Sequence, residues 1–170
     1  MIKGLPMLTH AFLKWIVEQD TKNKTMLEFG SGASTLFFSN IFKNVKSLEC
    51  NEKYRLSLEK EMPKNVELYD LNFNLFPQIL KDVDYVLIDN DVGPGSKFKR
   101  EEVAQNLIEK YNYKNITILD NGNWNPQAYF YLKYMYEQCE DFGWSTPWLG
   151  EETITSVFSE RRKINERKNS

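Results

Sequence analysis

Met26-Leu27-Glu28-Phe29-Gly30-Ser31-Gly32-Ala33-Ser34-Thr35 is the stretch on which the fold depends. A short apolar run carries an acid, then come two glycines one residue apart, then small residues that lead into an apolar segment. This order predicts a strand, a tight turn and a helix start. Glycines at such a turn reach backbone conformations that a Cβ forbids, and they let a ligand approach the main chain closely. The helix that follows directs its first N–H groups toward whatever occupies the turn. A strand-to-helix turn without a ligand is the plainer alternative. The next element strengthens the ligand reading. Val45-Lys46-Ser47-Leu48-Glu49 reads as a second strand ending in an acid, with room for one helix, Ala33 to Phe42, between Gly32 and it. A carboxylate at that tip can accept two hydrogen bonds from the hydroxyls of a ribose, near the spacing of about 20 residues expected for ribose recognition.

The rest of the chain repeats the alternation. Phe12, Leu13, Ile16 and Val17 have helical spacing behind a candidate N-cap, Thr9. Residues 51–62 read as a helix with Leu56, Leu58 and Met62 apolar, stopped by Pro63. Val66 to Asp70 alternates as a third strand, and Tyr85 to Ile88 is continuously apolar, as a strand covered on both faces should be. Phe98 to Tyr111 reads as a helix, Ile116 to Leu119 as a fifth strand, and Pro126 opens a helix with Tyr129, Leu132 and Tyr136 on one face. Two further strands follow without a helix between them. The expectation is an α/β fold: a doubly wound, mostly parallel, seven-stranded Rossmann-like sheet with a C-terminal antiparallel hairpin. Residues 1–159 form one domain, and residues 160–170 a charged, disordered tail whose Arg161-Arg162-Lys163 run reads as a solvated end.

Composition agrees. A chain of 170 residues is one domain's length, and such a domain buries about 70% of its unfolded surface. The net charge of −2 argues against a nucleic-acid partner. No apolar run approaches the ~18 residues of a membrane span, and no secretion signal opens the chain, so a cytoplasmic protein is expected. Cys50 and Cys139 are isolated and read as reduced thiols, and His10 is the only histidine, which leaves little for a zinc site or a Ser-His-Asp triad.

The cofactor class follows from what is missing and what is present. A dinucleotide turn wants a third glycine three residues after Gly32, where Thr35 stands. Glu28 so near the turn repels a pyrophosphate but suits a cation, and S-adenosylmethionine carries an ammonium and a sulfonium. At this point the chain resembles the class I S-adenosylmethionine-dependent methyltransferases. Leu27 to Thr35 is similar to their glycine-rich first motif, and Ser47-Leu48-Glu49-Cys50-Asn51 to their ribose-binding second strand. Val83 to Asp89 and Ile116 to Asn121 are similar to their fourth and fifth strands, and Asp141 to Phe158 to their closing hairpin. The resemblance implies S-adenosylmethionine against Glu28, Gly30, Ser31, Gly32, Ser34 and Thr35 at the first turn. It implies Glu49 and Cys50 at the ribose, Asp70 and Leu71 flanking the adenine, and Asp89 at the transferring end. Asp70 as a turn acid capping the next segment is the alternative.

Asp89 with Asp120 and Asn121 also resembles the metal triad of the catechol-type O-methyltransferases. It implies three oxygen ligands for Mg²⁺ or another divalent cation. The chain departs from that pattern where a lysine base is wanted: Asn90, Asp91, Val92 and Gly93 follow Asp89, with Lys97 and Lys99 further on. The metal-free alternative keeps Asp89 or Asp120 as the catalytic, hydrogen-bonding or basic group. Asn121 to Pro126 with the hairpin resembles small methyltransferases associated with surface-sugar biosynthesis. This implies a small-molecule or saccharide acceptor walled by Trp124, Trp144 and Trp148, in a shallow site that a second copy of the chain could cover as a homodimer. Aminopropyl transfer from decarboxylated S-adenosylmethionine and a non-catalytic binding module are the competing function classes.

Overall fold

A computed structural model describes residues 5–90, 98–143 and 152–162. Seven strands form one sheet: β1 (Thr25–Phe29), β2 (Asn44–Glu49), β3 (Val66–Asp70), β4 (Tyr85–Ile88), β5 (Ile116–Leu119), β6 (Tyr136–Gly143) and β7 (Ile154–Arg161). Their spatial order is β3-β2-β1-β4-β5-β7-β6. The first five pair in parallel, and β7 pairs antiparallel with both β5 and β6. The helices are α1 (His10–Val17), α2 (Ala33–Ser39), α3 (Glu52–Leu58), α4 (Phe76–Ile79), α5 (Arg100–Gln105) and α6 (Pro126–Met135). The expected doubly wound sheet and closing hairpin are present.

Alternate residues of each central strand feed two cores, as the period of a strand requires. Met26, Tyr85, Leu87 and Ile118 pack with Phe12, Ile16 and Phe38 of α1 and α2. Leu27, Phe29, Val86, Ile88 and Leu119 pack on the other face with Phe76, Val103, Leu107 and Leu132. Strand order reverses between β1 and β4, and Gly30 and Asp89 follow the two strands there. Ligands of open α/β sheets bind at such a switch point, beyond the carboxyl ends of the strands.

Several boundaries differ from expectation. The helix after β1 stops at Ser39, yet Phe42 remains buried and packs edge-on against Tyr85. α3 ends at Leu58, and Leu56 faces solvent. The segment after β3 holds a 3₁₀ turn (Phe73–Leu75) and α4, elements too short for a periodicity to reveal. α5 begins at Arg100 because Lys99 is its N-cap, with the Lys99 N–H donating to Glu102 Oε2 at 2.9 Å. It continues as a wide π turn over Asn106–Lys110. Tyr136 leaves the helical face to open β6, where its buried hydroxyl shares a 2.8 Å hydrogen bond with Thr117 Oγ1. β7 runs to Arg161, past the expected end of the domain at 159, and Arg162 N donates to the Met135 carbonyl at 3.0 Å. The remainder of the expected tail, 163–170, lies outside the described residues.

Candidate active site

The first turn is built around Gly30. Its φ is +99°, and a Cβ placed on it would stand 2.7 Å from the Asp89 carbonyl oxygen. Both facts demand glycine, so β1 and β4 leave the sheet in contact. Gly32 differs. Its φ of 173° is extended backbone open to any residue, and a Cβ there would meet Tyr54 Oη at an ordinary 3.8 Å. The turn is held by main-chain and side-chain bonds. Gly30 N donates to the Leu48 carbonyl at 2.9 Å, Ser31 N to Glu49 Oε2 at 3.3 Å, and Gly32 N to Thr35 Oγ1 at 2.9 Å. Glu49 Oε1 accepts from Asn51 N at 2.7 Å. A crevice of about 300 Å³ opens here, at the small end of the ~300–1,000 Å³ typical of ligand pockets. Gly30, Ser31, Gly32, Ala33, Ser34 and Glu49 form its floor, with Met7, Tyr54 and Asp89 at its edges.

Beneath this floor lies Glu28, fully buried. Its carboxyl accepts from Ser34 Oγ, from Thr35 Oγ1 at 2.6 Å and from Ser47 Oγ at 3.1 Å. Ser31 Oγ lies 2.6 Å from Ser47 Oγ, which extends this network to the crevice floor. Removal from water pushes the Glu28 pKa up to about 8, against the opposing pull of the three hydroxyls.

On the β4–β5 side of the rim most polar groups are buried and bonded to one another. Asp120 is 1% exposed, and its Oδ1 accepts from Thr155 Oγ1 at 2.7 Å. Thr155 Oγ1 in turn accepts from Thr9 N at 3.2 Å, which ties α1 to the rim. Burial, with the nearby Asp89 charge, pushes the Asp120 pKa up to about 7. Asp89 is also raised by burial, with Arg100 opposing the rise. Arg100 lies between the strand ends. Its Nη2 donates to Asp89 Oδ1 at 3.0 Å, its Nη1 to the Asp120 carbonyl and to Asn121 Oδ1 at 3.2 Å, and its Nε to the Asn90 carbonyl at 3.0 Å. Asn121, in the left-handed region at φ 51°, donates from Nδ2 to Thr153 Oγ1 at 2.8 Å.

No protein-family model and no curated protein matches the chain. Solved structures do. A provisionally assigned methyltransferase from Streptococcus mutans, solved in complex with SAH, superposes with a TM-score of 0.60 at 16% identity. The match covers 93% of this chain and 99% of that one. The 23S rRNA methyltransferase ErmE gives a TM-score of 0.53 at 13% identity over 93% of this chain and 70% of its own. Spermidine synthase from Thermotoga maritima gives 0.59 at 12% identity over 91% of this chain and 58% of its own. This chain has the class I methyltransferase fold. At such identities the likeness is one of fold, and the chemistry must be argued from the residues.

Within the methyltransferase fold, the residues expected at the cofactor are not all brought together. Gly30, Ser31, Gly32, Ser34, Glu49 and Asp89 meet at the crevice. Glu28 and Thr35 lie below it, bonded to each other. Asp70 stands beside Glu49 in the β2–β3 register and is half-buried. Leu71 is 3% exposed and packs in the core with Phe76, not toward the crevice, and Cys50 packs against the same core.

The structure gives the metal triad no support. Asp89, Asp120 and Asn121 do come together, but a guanidinium lies among them. The Asp120 carboxylate is engaged by Thr155, and Asn121 has both side-chain ends bonded. These residues do not fit a divalent cation, and no metal-ligating group of three or more His, Cys, Asp or Glu occurs among the described residues. Of the lysines considered as bases, Lys99 is exposed and Lys97 lies outside the described residues. Trp124 is exposed, while Trp144 and Trp148 also lie outside them. Residues missed in the sequence are Met7, Tyr54 and Arg100. Asn51, whose Oδ1 caps α3 by accepting from Tyr54 N at 3.0 Å, was a signal that could have placed Tyr54 one turn from Glu49. Nothing in Lys99-Arg100-Glu101 distinguishes the buried arginine from its exposed neighbours.

Proposed function

We propose that the chain is a cytoplasmic methyltransferase that moves a methyl group from S-adenosylmethionine to an oxygen of a small molecule or sugar. The observation that carries this reading is the crevice at the β1–β4 switch point. Its lining includes the Gly30–Gly32 turn and Glu49. When bound, the cofactor supplies an already electrophilic methyl group. The chain has to hold and orient. Glu49 accepts from ribose hydroxyls while its two backbone donors, Ser31 N and Asn51 N, fix its direction. Gly30 lets the main chain at Asp89 approach the first turn, and Asp89 lines the same crevice. Asp89 is the better proton acceptor of the two candidate acids, because the Asp120 carboxyl is sealed beneath Thr155. Among the described residues no helix is long and apolar enough to cross a membrane. The net charge of −2 favours a small acceptor over RNA, although some proteins of this fold are rRNA methyltransferases.

A second reading, aminopropyl transfer, has support in the fold shared with a spermidine synthase. Calorimetric titration separates the two. Binding of S-adenosylhomocysteine with weaker binding of decarboxylated S-adenosylmethionine is expected, and the reverse order favours aminopropyl transfer. Binding of neither overturns both. Turnover on a panel of catechols, phenols, sugars and RNA then identifies the acceptor class, and binding with no turnover points to a non-catalytic module.

A further inference from the structure

The oxygens around Arg100 are a carboxylate (Asp89), an amide oxygen (Asn121) and two carbonyls (Asn90 and Asp120). This is also the donor chemistry that a hard divalent cation selects. Arginine is rarely buried without such partners, and its planar fork, always charged, can bridge several acceptors at once. Only 7% of its side chain is exposed, whereas Asp89 keeps 23% of its own at the crevice edge. Asn121 passes the constellation on to Thr153, just before β7. A dication added beside the guanidinium would meet its charge at close range in a poorly solvated place.

We propose that Arg100 is the resident cation of this rim: its guanidinium joins the ends of β4 and β5, holds Asp89 at the crevice edge, and takes the place of a divalent ion. Arg100 is thus a positioning residue that acts through Asp89. The role stands whichever group the crevice transfers, so it does not depend on the methyl-transfer reading.

The test uses metal binding and stability. Wild-type protein titrated into Mn²⁺ is expected to leave the free-ion spin-resonance signal unchanged. One bound ion per chain, abolished by Asp89→Asn, overturns the proposal. Arg100→Ala is expected to melt below wild type and to recover part of the loss with millimolar guanidinium, but not with sodium chloride of equal ionic strength. No recovery overturns it. Arg100→Lys keeps the charge without the fork and is expected to fold and to melt below wild type. A wild-type melting temperature for that variant overturns the proposal, and it carries the test where Arg100→Ala fails to fold. Neither readout uses turnover or cofactor binding, so a failure here is distinguishable from a failure of the proposed activity.

Discussion

The two halves of the strand rim are built from similar residues and end up with opposite properties. At β1 and β2, a glycine turn and the acid Glu49 border an open crevice, and the acid accepts from backbone N–H groups of the turn and of the residue that caps the next helix. At β4 and β5, two acids and an asparagine are gathered just as closely but are bonded by Arg100, Thr155 and Thr153. One half lines the crevice with its polar atoms, and the other, apart from Asp89 at the crevice edge, bonds them internally. The difference teaches that a strand-end acid at the correct rim is a candidate only until its partners are known. Coming to the rim is a property of topology. Staying available is a property of packing.

The largest expected effect attacks the junction between the halves. Gly30→Ala forces a Cβ against the Asp89 carbonyl at a left-handed φ. It should cost about 3 kcal/mol or more of stability, measured by urea unfolding, and a near-wild-type midpoint would mean that the two halves are not locked together there. Glu49→Ala acts on the open half alone. It should weaken S-adenosylhomocysteine binding by about 1–3 kcal/mol, the scale of lost charged hydrogen bonds, in calorimetry on a folded protein. Unchanged affinity would remove Glu49 from the cofactor site.

The buried acid under the open half gives a pH test. Glu28 holds its proton up to about 8 when folded, whereas the unfolded chain releases it near the ordinary value of about 4.3. Between these values the unfolded state binds fewer protons, so stability falls as pH rises, by at most about 1.4 kcal/mol per pH unit from this group. Asp120, raised to about 7, adds a slope of the same sign that ends at lower pH. Glu28→Gln should flatten the part of the curve between pH 7 and about 8, and an unchanged slope in denaturation at stepped pH would mean that Glu28 ionises freely in the fold. The smallest effect is expected for Gly32→Ala. With extended φ and ordinary contacts, it should stay within about 1 kcal/mol of wild type. A loss as large as that of Gly30→Ala would show that the two glycines share one role.

Much of this was legible in the sequence. The central strands β4 and β5 are largely apolar runs whose alternate residues serve two faces. The mostly parallel sheet and the rim that carries the crevice followed from that alternation, whereas the order of the strands came only with the structure. The illegible parts have specific causes. α4 is four residues long, shorter than any helical period test can use. Tyr136 fits a helical stripe and a strand equally well, and its hydrogen bond to Thr117 on β5 decided between them. The acid at 28 suggested a partner for a cation, but the hydroxyls of Ser34, Thr35 and Ser47 converge on it only once α2 docks on β1 and β2.

The sequence by itself determined the doubly wound sheet, the rim where its parallel strands end and the turn that only glycine can make at position 30. These depend on local periodicity and backbone sterics, which act over a few residues. Only the tertiary structure decided which polar groups at that rim remain open and which are closed off. Arg100 reaches Asp120 across 20 positions of sequence, and Thr155 reaches it across 35. Burial and pairing at those distances are set by how the elements pack, and no local pattern records them.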